Sequence, residues 1–485
     1  MNSDHKSSAL PVEPAPGPPL ELLAELLEDF SLAGMEILAD RFERPEAQGW
    51  VNMKLAPRTG EDFPASDPLR GRDVIYGWIQ GRALEAVAGH IRHFAGRADL
   101  AELTARLREL LGTLVQRVQA TRRANGGHLF FFLDGSGRPF ELDRSGKRTP
   151  VALQAGSPTN FSDLFGAKGL LAASAILGDA ALAVEATDYL RLVTQEIFAH
   201  RFVTDQQALD PANPVRPIAG RHPLGPFMIS LGAATVWLET ATGAGGDPAE
   251  PLDLGMRLLA HIFHHHVQAP MDPPARPGVM TGDVWEFING DNKPWHAGHT
   301  LPSDPGHALE MVGLAQKFLR AVRGSQVPLS PEQASTMQRA DSLLPIVLEA
   351  NFATGARFTD TLTDQPNDMA RTLGGIVKLV DLRTRAALHT DMPWWSLPET
   401  MRAAMLTEET SGVPLVRAGC RVIWQACHEA FFGYYTVGAV RGLSVQALDA
   451  QMNVSKVIPA TGDLDPGYHT GLSFLDCAAA LRRLS

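Results

Sequence analysis

The chain has 485 residues, 45% of them hydrophobic, and carries a formal net charge of −11 at pH 7. Its length allows a large core and by itself would suggest about three domains. Because phosphate binding needs a basic surface, the 54 acidic against 43 basic residues argue against a nucleic-acid partner.

Targeting segments, cysteines and nucleotide motifs bear on the compartment and the cofactors. No apolar run approaches the length of a membrane span, and the N-terminus lacks the apolar region of a signal peptide, so no membrane association is expected. The cysteines Cys420, Cys427 and Cys477 lack the spacing of a metal site and suit reduced thiols, which predicts a cytoplasmic protein. No glycine-rich nucleotide motif is present, so no cofactor is predicted. The sequence leaves a homodimer open.

Most of the chain has the periodicity of amphipathic helices. Residues 1–19 are polar and proline-rich, which predicts a disordered tail ahead of one domain over residues 20–485. Over residues 101–123, leucines and valines recur at three- and four-residue steps. In chain order, helices are predicted over residues 20–43, 71–95, 101–123, 163–177, 180–199, 223–241, 252–267, 305–322, 331–350, 366–387, 399–407, 414–435 and 471–484.

Short breaks such as Gly178-Asp179 join these helices into hairpins. About a dozen helices paired in this way suit an all-α, single-domain (α/α)6 barrel, although helix number alone does not separate a closed ring from an open solenoid. A short β-hairpin is also predicted between His128 and Leu142, with its turn at residues 134–137.

The segment at residues 303–310 places a histidine and a carboxylate at the beginning of a helix. Pro305 and Gly306 suit the turn that enters this helix. His307 and Glu310 are three residues apart, so their side chains share one face. An imidazole exchanges protons near neutral pH and a carboxylate can orient it, so the pair is typical of a proton-transfer site. The spacing alone also allows a solvated surface pair.

Five segments together resemble a known enzyme family. The run from Pro305 to Glu310 resembles the Pro-Gly-His-x-x-Glu motif of the N-acylglucosamine 2-epimerase family, which includes cellobiose 2-epimerases and aldose-ketose isomerases. The other four are an aromatic-x-Gln-x-Arg stretch at residues 76–82, a Trp/Glu strand at 284–287, a Trp-Trp-x-x-x-Glu segment at 394–399 and an aromatic-His element at 467–469. The resemblance implies the same barrel, with short β-hairpins at its mouth.

The resemblance implies a sugar 2-epimerase or aldose-ketose isomerase that acts on a free reducing sugar. His307 and His469 would flank the open-chain sugar and exchange the proton at C2, without a redox cofactor or metal. Glu310 and Glu399 would orient an imidazole or bind sugar hydroxyls. Arg82 would bind a substrate oxygen and stabilise the negative charge that develops on it.

The same resemblance suggests how the sugar is held. Glu286 is expected to contact the substrate. Trp285, Trp394 and Trp395 offer flat faces on which a sugar ring can stack, and we expect at least one of them to line the pocket and at least one to belong to the core. Relatives typically carry an arginine three residues after the late histidine, where this chain has Leu472. That difference predicts altered specificity or lost turnover.

Two further functions remain open at the level of sequence. A glycoside hydrolase or lyase can use the same barrel, with carboxylates such as Glu310 and Glu399 about 5 to 9.5 Å apart across the scissile bond. A non-catalytic sugar-binding protein would keep the pocket without turnover, and Leu472 is the best support for it.

A histidine cluster and an acidic turn superficially suggest metal sites. His261 and His265 have i,i+4 spacing, but no glutamate follows as in His-Glu-x-x-His, and the run ends a helix where such groups are favourable anyway. Asp134 begins a Gly-rich segment without the twelve-residue calcium pattern, so a simple turn is the better interpretation. The sequence therefore predicts no metal.

Overall fold

The computed structural model describes residues 19–143, 145–153, 156–207, 209, 218–270, 277–362 and 369–485. The predicted disordered tail, apart from its last residue, lies outside the described residues. Twelve α-helices occur in the described part: α1 (Leu20–Phe42), α2 (Gly77–His93), α3 (Ala101–Ala124), α4 (Phe161–Leu177), α5 (Ala180–Phe198), α6 (Gly225–Gly243), α7 (Ala249–His265), α8 (Pro305–Ser325), α9 (Pro331–Gly355), α10 (Ser396–Thr410), α11 (Pro414–Ala430) and α12 (Ser473–Leu484).

The even-numbered helices form an inner ring. Each packs on the next in the order α2, α4, α6, α8, α10 and α12, and a π-helical turn at Tyr468–Leu472, directly before α12, packs on α2 and closes the ring. The residues of α6 from Gly225 to Leu238 are all buried, as expected for a helix with neighbours on every side. The odd-numbered helices lie outside and bury one face. The all-α (α/α)6 barrel is therefore confirmed.

Short strands lie at one end of this barrel. They are β1 (Ile75–Tyr76), β2 (Phe132–Leu133), β3 (Phe140–Leu142), β4 (Arg148–Pro150), β5 (His222–Pro223), β6 (Phe287–Ile288), β7 (Pro302–Ser303), β8 (Ala356–Leu362), β9 (Met369–Ile376), β10 (Leu379–Asp381), β11 (Ala387–His389), β12 (Met392–Pro393) and β13 (Ala447–Leu448). β1, β5, β7 and β12 run almost directly into inner helices. The strands thus surround the end at which the inner helices begin, which confirms the predicted hairpins at the mouth.

The thirteen strands in the described residues pair in antiparallel fashion, and an isolated bridge between Asn160 and Val203 is parallel. β1 pairs with β2, β3 with β4, β5 with β6, β8 with β9, and β12 with β13, while β10 lies between β11 and β7. The predicted turn at residues 134–137 is present, because the Gly137 amide donates to the Asp134 carbonyl at 2.8 Å. The main partner of Phe132 is Tyr76, however, which no local pattern predicts. No helix in the described residues is long and apolar enough to cross a membrane.

The helix predicted over residues 366–387 is wrong. Its described part forms β9, β10 and the beginning of β11, and β9 pairs with β8. A short apolar run such as Leu373 to Val380 does not distinguish a strand from a helix by periodicity. The adjacent Gly374 and Gly375 also disfavour a helix interior, and a Cβ atom on Gly375 would lie 2.6 Å from the Tyr435 hydroxyl, so this position of the strand requires glycine. The helix predicted over residues 71–95 begins at Gly77, because Ile75 and Tyr76 are in β1.

Helices α2 and α4 approach each other closely through glycines. A Cβ atom on Gly81 would lie 2.4 Å from the Phe165 carbonyl carbon, and one on Gly169 would lie 2.3 Å from the Gly81 carbonyl oxygen. This backbone contact brings Arg82 on α2 next to Phe165 on α4.

We expect Gly169→Ala to lower the free energy of unfolding by about 1–3 kcal/mol, because the added methyl group overpacks a backbone contact that has no flexible atom to yield. Urea denaturation measures the change. Gly112→Ala is the matched control: Gly112 lies within α3 with open space around it, so alanine should stabilise the protein by about 0.4–1 kcal/mol. Equal stability of the two variants would contradict the close α2–α4 contact.

Candidate active site

A cavity of about 530 Å³ opens at the barrel mouth. The first two turns of the inner helices, or the residues just before them, contribute its lining, including Arg82 from α2, Phe165 from α4, Met228 from α6 and His307 from α8. Because the N-terminus of a helix carries the positive end of its dipole, this arrangement favours negative charge in the cavity.

His307 lies among carboxylates. Its Nδ1 is 3.1 Å from both carboxylate oxygens of Glu286 and 3.4 Å from Oδ2 of Asp304. Asp304 is also the N-cap of α8 and forms an ion pair with Lys378. A carboxylate can only accept, so Nδ1 carries a hydrogen and Nε2 is the nitrogen left for a substrate. Burial lowers the pKa of His307, but the charges of Asp304 and Glu286 outweigh burial and raise it above its ordinary value.

His469 occupies a drier position. Its Nδ1 is 2.9 Å from Oε1 of Glu399, whose other oxygen forms an ion pair with Arg402. The side chain of His469 is 7% exposed, against 26% for His307. Burial, followed by the charge of Arg82, lowers the pKa of His469 to about 4. Burial raises the pKa of Glu399 to about 7, although Arg402 opposes this. His469 is thus neutral at pH 7.

One indole joins the two histidines. The ring of Trp395 lies 5.4 Å from that of His307 at an angle of 28° and 5.5 Å from that of His469 at 33°. Gly306 makes room for the indole, because a Cβ atom there would lie 2.8 Å from its Cη2. Trp394 meets His469 edge to face at 6.3 Å. The geometry holds both imidazoles against one aromatic surface.

Two side chains that line the cavity each have a buried donor without a partner. Arg82 Nε and Trp394 Nε1 have no hydrogen-bond acceptor among the described residues, and both side chains line the cavity. The Arg82 guanidinium lies 4.4 Å over the ring of Phe165 and 5.3 Å over that of Tyr468. Unpaired buried donors are costly. A ligand oxygen that approached either N–H could accept its hydrogen bond.

Glu310 completes the inner part of the site. One oxygen each from Glu310 and Glu399 and one nitrogen from His469 lie within 4.8 Å of one another, as do donor atoms of the Glu286, Asp304 and His307 group. Burial and the charge of Glu399 raise the pKa of Glu310. Either group has donor types that a metal ion accepts, but Arg402 and Lys378 already neutralise a carboxylate in each. The donor sets therefore suit proton transfer better than a divalent cation.

The Glu399–His469 pair should set the acidic limb of the pH profile. When Glu399 takes up a proton near pH 7, its O–H can donate to Nδ1 and force the hydrogen of His469 onto Nε2, so kcat/KM should fall as the pH decreases through about 7. Glu399→Gln cannot titrate, and its amide oxygen still accepts from Nδ1. We expect the midpoint of the acidic limb of kcat/KM to move from about pH 7 towards the pKa of His469, which is about 4. An unchanged acidic limb in this variant would assign it to another group.

The structure brings together most of the side chains that the sequence singled out. The cavity lining includes Arg82, Glu286, His307, Glu310, Trp394, Trp395 and His469. Glu399 lies behind this lining and reaches the cavity through His469. Trp285 is in the core instead, where its indole N–H donates to the His265 carbonyl at 2.6 Å.

Leu472 does not bear on the cavity as the sequence suggested. It is buried over Gly89 of α2, where its Cδ2 would lie 2.4 Å from a Cβ atom, and it lines cavities at the opposite end of the barrel. The reason is local: the π-helical turn at Tyr468–Leu472 points residue 472 away from the side on which His469 lies. Among the described residues, the arginine and lysine side chains that line the cavity are Arg82, Arg221 and Lys378.

Sequence reasoning missed two members of the site. Asp304 was assigned no role of its own, although its place before Pro305 is a signal for an N-cap that could also face His307. Lys378 fell within the segment wrongly predicted to be helical, and it follows β9 on a loop that approaches α8.

The histidine cluster at the end of α7 has structural partners. His261 stacks on Phe227 with 4.0 Å between ring centres, and burial lowers its pKa to about 3. Nδ1 of His264 lies 2.7 Å from the Ala260 carbonyl, and Nδ1 of His266 lies 3.0 Å from the Trp285 carbonyl. These contacts support the interpretation of the cluster as a helix end.

Comparisons with known proteins concern the fold. No family model and no curated protein matches the sequence. Among solved structures, a D-mannose isomerase has a TM-score of 0.63 at 12% identity, covering 95% of this chain and 98% of its own. A cellobiose 2-epimerase from Spirochaeta thermophila has 0.62 at 13%, covering 96% and 97%, and a sugar epimerase from a ruminal bacterium has 0.61 at 11%, covering 94% and 98%. The chain thus has the (α/α)6-barrel fold of the N-acylglucosamine 2-epimerase type, the fold of these sugar isomerases and epimerases.

Proposed function

We propose that the protein is a sugar 2-epimerase or aldose-ketose isomerase that acts on a free reducing sugar, with residues 20–485 as one catalytic domain. One observation carries this proposal: two imidazoles, each hydrogen-bonded to a carboxylate, lie on one indole in a cavity large enough for a sugar. Epimerisation at C2 is expected to use two such carriers, one to remove a proton and one to return a proton on the other face.

The different surroundings of the histidines suggest their roles. His469 is neutral at pH 7, so its Nε2 is assigned the removal of the C2 proton from the open-chain sugar. The electron pair of the C2–H bond forms the C1–C2 double bond, and the carbonyl oxygen gains negative charge. Arg82 and the N-terminal ends of the inner helices stabilise this oxygen.

His307 is assigned the return of a proton. Its raised pKa keeps it cationic to higher pH than an ordinary imidazole. A proton delivered to C2 on the opposite face produces the epimer, whereas a proton delivered to C1, with transfer of the O2 hydroxyl proton to O1, produces the ketose. Trp394 and Trp395 supply stacking faces for the sugar, and Glu286 both orients His307 and can accept from a hydroxyl. These steps use only side chains of the protein.

Hydrolysis fits the carboxylates less well. Glu310 and Glu399 have oxygens within 4.8 Å of each other, but Glu399 does not line the cavity in which a glycosidic bond would lie. Glu399 is also held by Arg402 and His469, so it is not free to attack an anomeric carbon or activate water. A non-catalytic sugar-binding role loses its main support, because Leu472 lies at the other end of the barrel.

NMR spectroscopy in deuterated water tests the proposal. The protein is incubated with free aldoses, ketoses, N-acetylhexosamines and disaccharides. We expect deuterium at C2 and formation of the 2-epimer or the ketose for at least one sugar. Cleavage of a glycosidic bond without C2 exchange would instead identify a hydrolase, and binding without exchange or cleavage would identify a binding protein.

A further inference from the structure

The part of the cavity that α4 and α6 line is apolar, whereas the segment between α5 and α6 adds polar side chains such as Gln206 and Arg221. Among the described residues, every side chain by which α4 and α6 line the cavity lacks a hydrogen-bonding group; these residues are Phe161, Phe165, Gly225, Met228 and Ile229. Phe202, from the loop after α5, adjoins them and meets Phe161 edge to face at 5.0 Å. We call Phe161, Phe165, Phe202, Met228 and Ile229 the apolar wall.

The order of the inner helices shows which groups the apolar wall faces. In a ring that runs α2, α4, α6, α8, α10, α12, helix α4 lies opposite α10 and helix α6 lies opposite α12. Trp395 directly precedes α10, and His469 lies in the turn before α12. Most of the apolar wall therefore stands across the cavity from Trp395 and His469, whereas Phe165 also contacts Arg82, the group assigned to the carbonyl oxygen.

Packing holds the side chains of the apolar wall in place. Phe165 and Met228 are 1% and 2% exposed, so packing fixes their positions and leaves only a small part of each accessible, whereas Phe202 is half-buried and presents more surface. Phe161 also packs on Trp78 with 5.2 Å between ring centres, and a Cβ atom on Gly225 would lie 3.2 Å from its Cζ. A sugar hydroxyl placed against this surface would lose its hydrogen bonds to water without gaining others. An apolar group there would gain from leaving water.

We propose that the preferred substrate is a reducing sugar that carries an apolar substituent, an acyl, alkyl or aryl group, on a carbon remote from C2, and that the substituent packs on the apolar wall. This inference rests on the proposed function for the position of C2. The cavity of about 530 Å³ has room for such a group beside a single sugar ring.

Rates on matched sugars test the inference. The set comprises mannose, its 4-O- and 6-O-butyryl esters, and 1,4- and 1,6-linked mannobiose. The two mannobioses carry a polar sugar unit at the same positions as the two esters and serve as their polar counterparts. Burial of one methylene group is worth about fourfold in binding, so we expect kcat/KM for C2 exchange to be at least about tenfold higher on one ester than on mannose. A mannobiose that reacts as well as that ester would overturn the inference.

A variant of the apolar wall tests whether contact between the wall and the substituent causes the preference for the ester. Met228→Gln keeps the side-chain length but adds an amide, so the preference for the ester over mannose should fall by about tenfold. Met280→Gln is the matched control, because Met280 is 55% exposed and remote from the cavity lining. It should leave the preference unchanged. A preference that survives Met228→Gln would overturn the inference.

Calorimetric measurement of sugar binding to the wild-type protein and to Met228→Gln distinguishes failure of this inference from failure of the proposed function. C2 exchange on mannose with no preference for an ester would overturn the inference and leave the proposed function standing. Tighter binding of an ester than of mannose, lost in Met228→Gln, with no exchange on any sugar, would support the inference about the pocket and overturn the proposed function. No exchange together with equal binding of both sugars would overturn both.

Discussion

Replacement of His307 by asparagine is expected to lower the rate of C2 exchange by about 10²–10⁴, the usual worth of a general acid-base group. The fold should persist, because the side chain is 26% exposed at the mouth and contributes little to the core. Asparagine can still donate to Glu286 and so limits the disturbance to the loss of the titrating group. Exchange followed by NMR and unfolding followed by circular dichroism measure the two quantities.

His264→Asn is the control for this variant. His264 is exposed near the end of α7, and its Nδ1 lies 2.7 Å from the Ala260 carbonyl, so its loss should leave exchange unchanged. His469→Asn should match His307→Asn if both histidines carry protons. Exchange by His307→Asn within about threefold of the wild-type rate would remove His307 from the proposed mechanism.

Replacement of Lys54 by methionine is expected to lower the free energy of unfolding by about 3–5 kcal/mol, because it leaves a buried carboxylate without its cation. Lys54 Nζ lies 3.2 Å from Oδ2 of Asp463, and the two side chains are 1% and 0% exposed. Asp463 also accepts from the Met53 amide at 2.6 Å. The pair ties the segment before α2 to the segment before α12. Urea or thermal unfolding measures the loss.

The double variant Lys54→Met/Asp463→Asn shows whether the lone charge is the cause. A neutral amide can keep the bond from Met53, so most of the lost stability should return. If the double variant is as unstable as Lys54→Met, lost packing around residue 54 is responsible instead.

Helix positions were predicted correctly where the periodic pattern of apolar residues extends over many residues. In α3, Leu107, Leu110, Leu111 and Leu114 are buried at the predicted three- and four-residue steps, and the break at Gly178 separates α4 from α5 as expected. The strand at residues 369–376 was missed, because its pairing with β8 and its close approach to Tyr435 are contacts that a local pattern does not contain.

The site was predictable to the extent that its residues occur in short motifs. His307 and Glu310 are on one helix, so spacing placed them on one face. Asp304 and Lys378 are 74 residues apart, and their ion pair depends on how the loop after β9 meets the beginning of α8. Nor can spacing tell on which side of the barrel a residue lies in a π-helical turn, which is why Leu472 was assigned to the wrong end.

Different helices of the inner ring supply the proposed proton carriers and the apolar wall. The proposed proton carriers come from the later half of the chain, through α8 and the turn before α12, whereas the apolar wall comes from the earlier half, through α4, α6 and the loop after α5. Mutations in α6 can therefore alter which molecules enter without touching the proposed proton carriers, whereas Phe165 of α4 also contacts Arg82. A barrel of this kind can diversify its substrates during evolution while it conserves a single chemistry, and directed evolution of specificity should begin at α4 and α6.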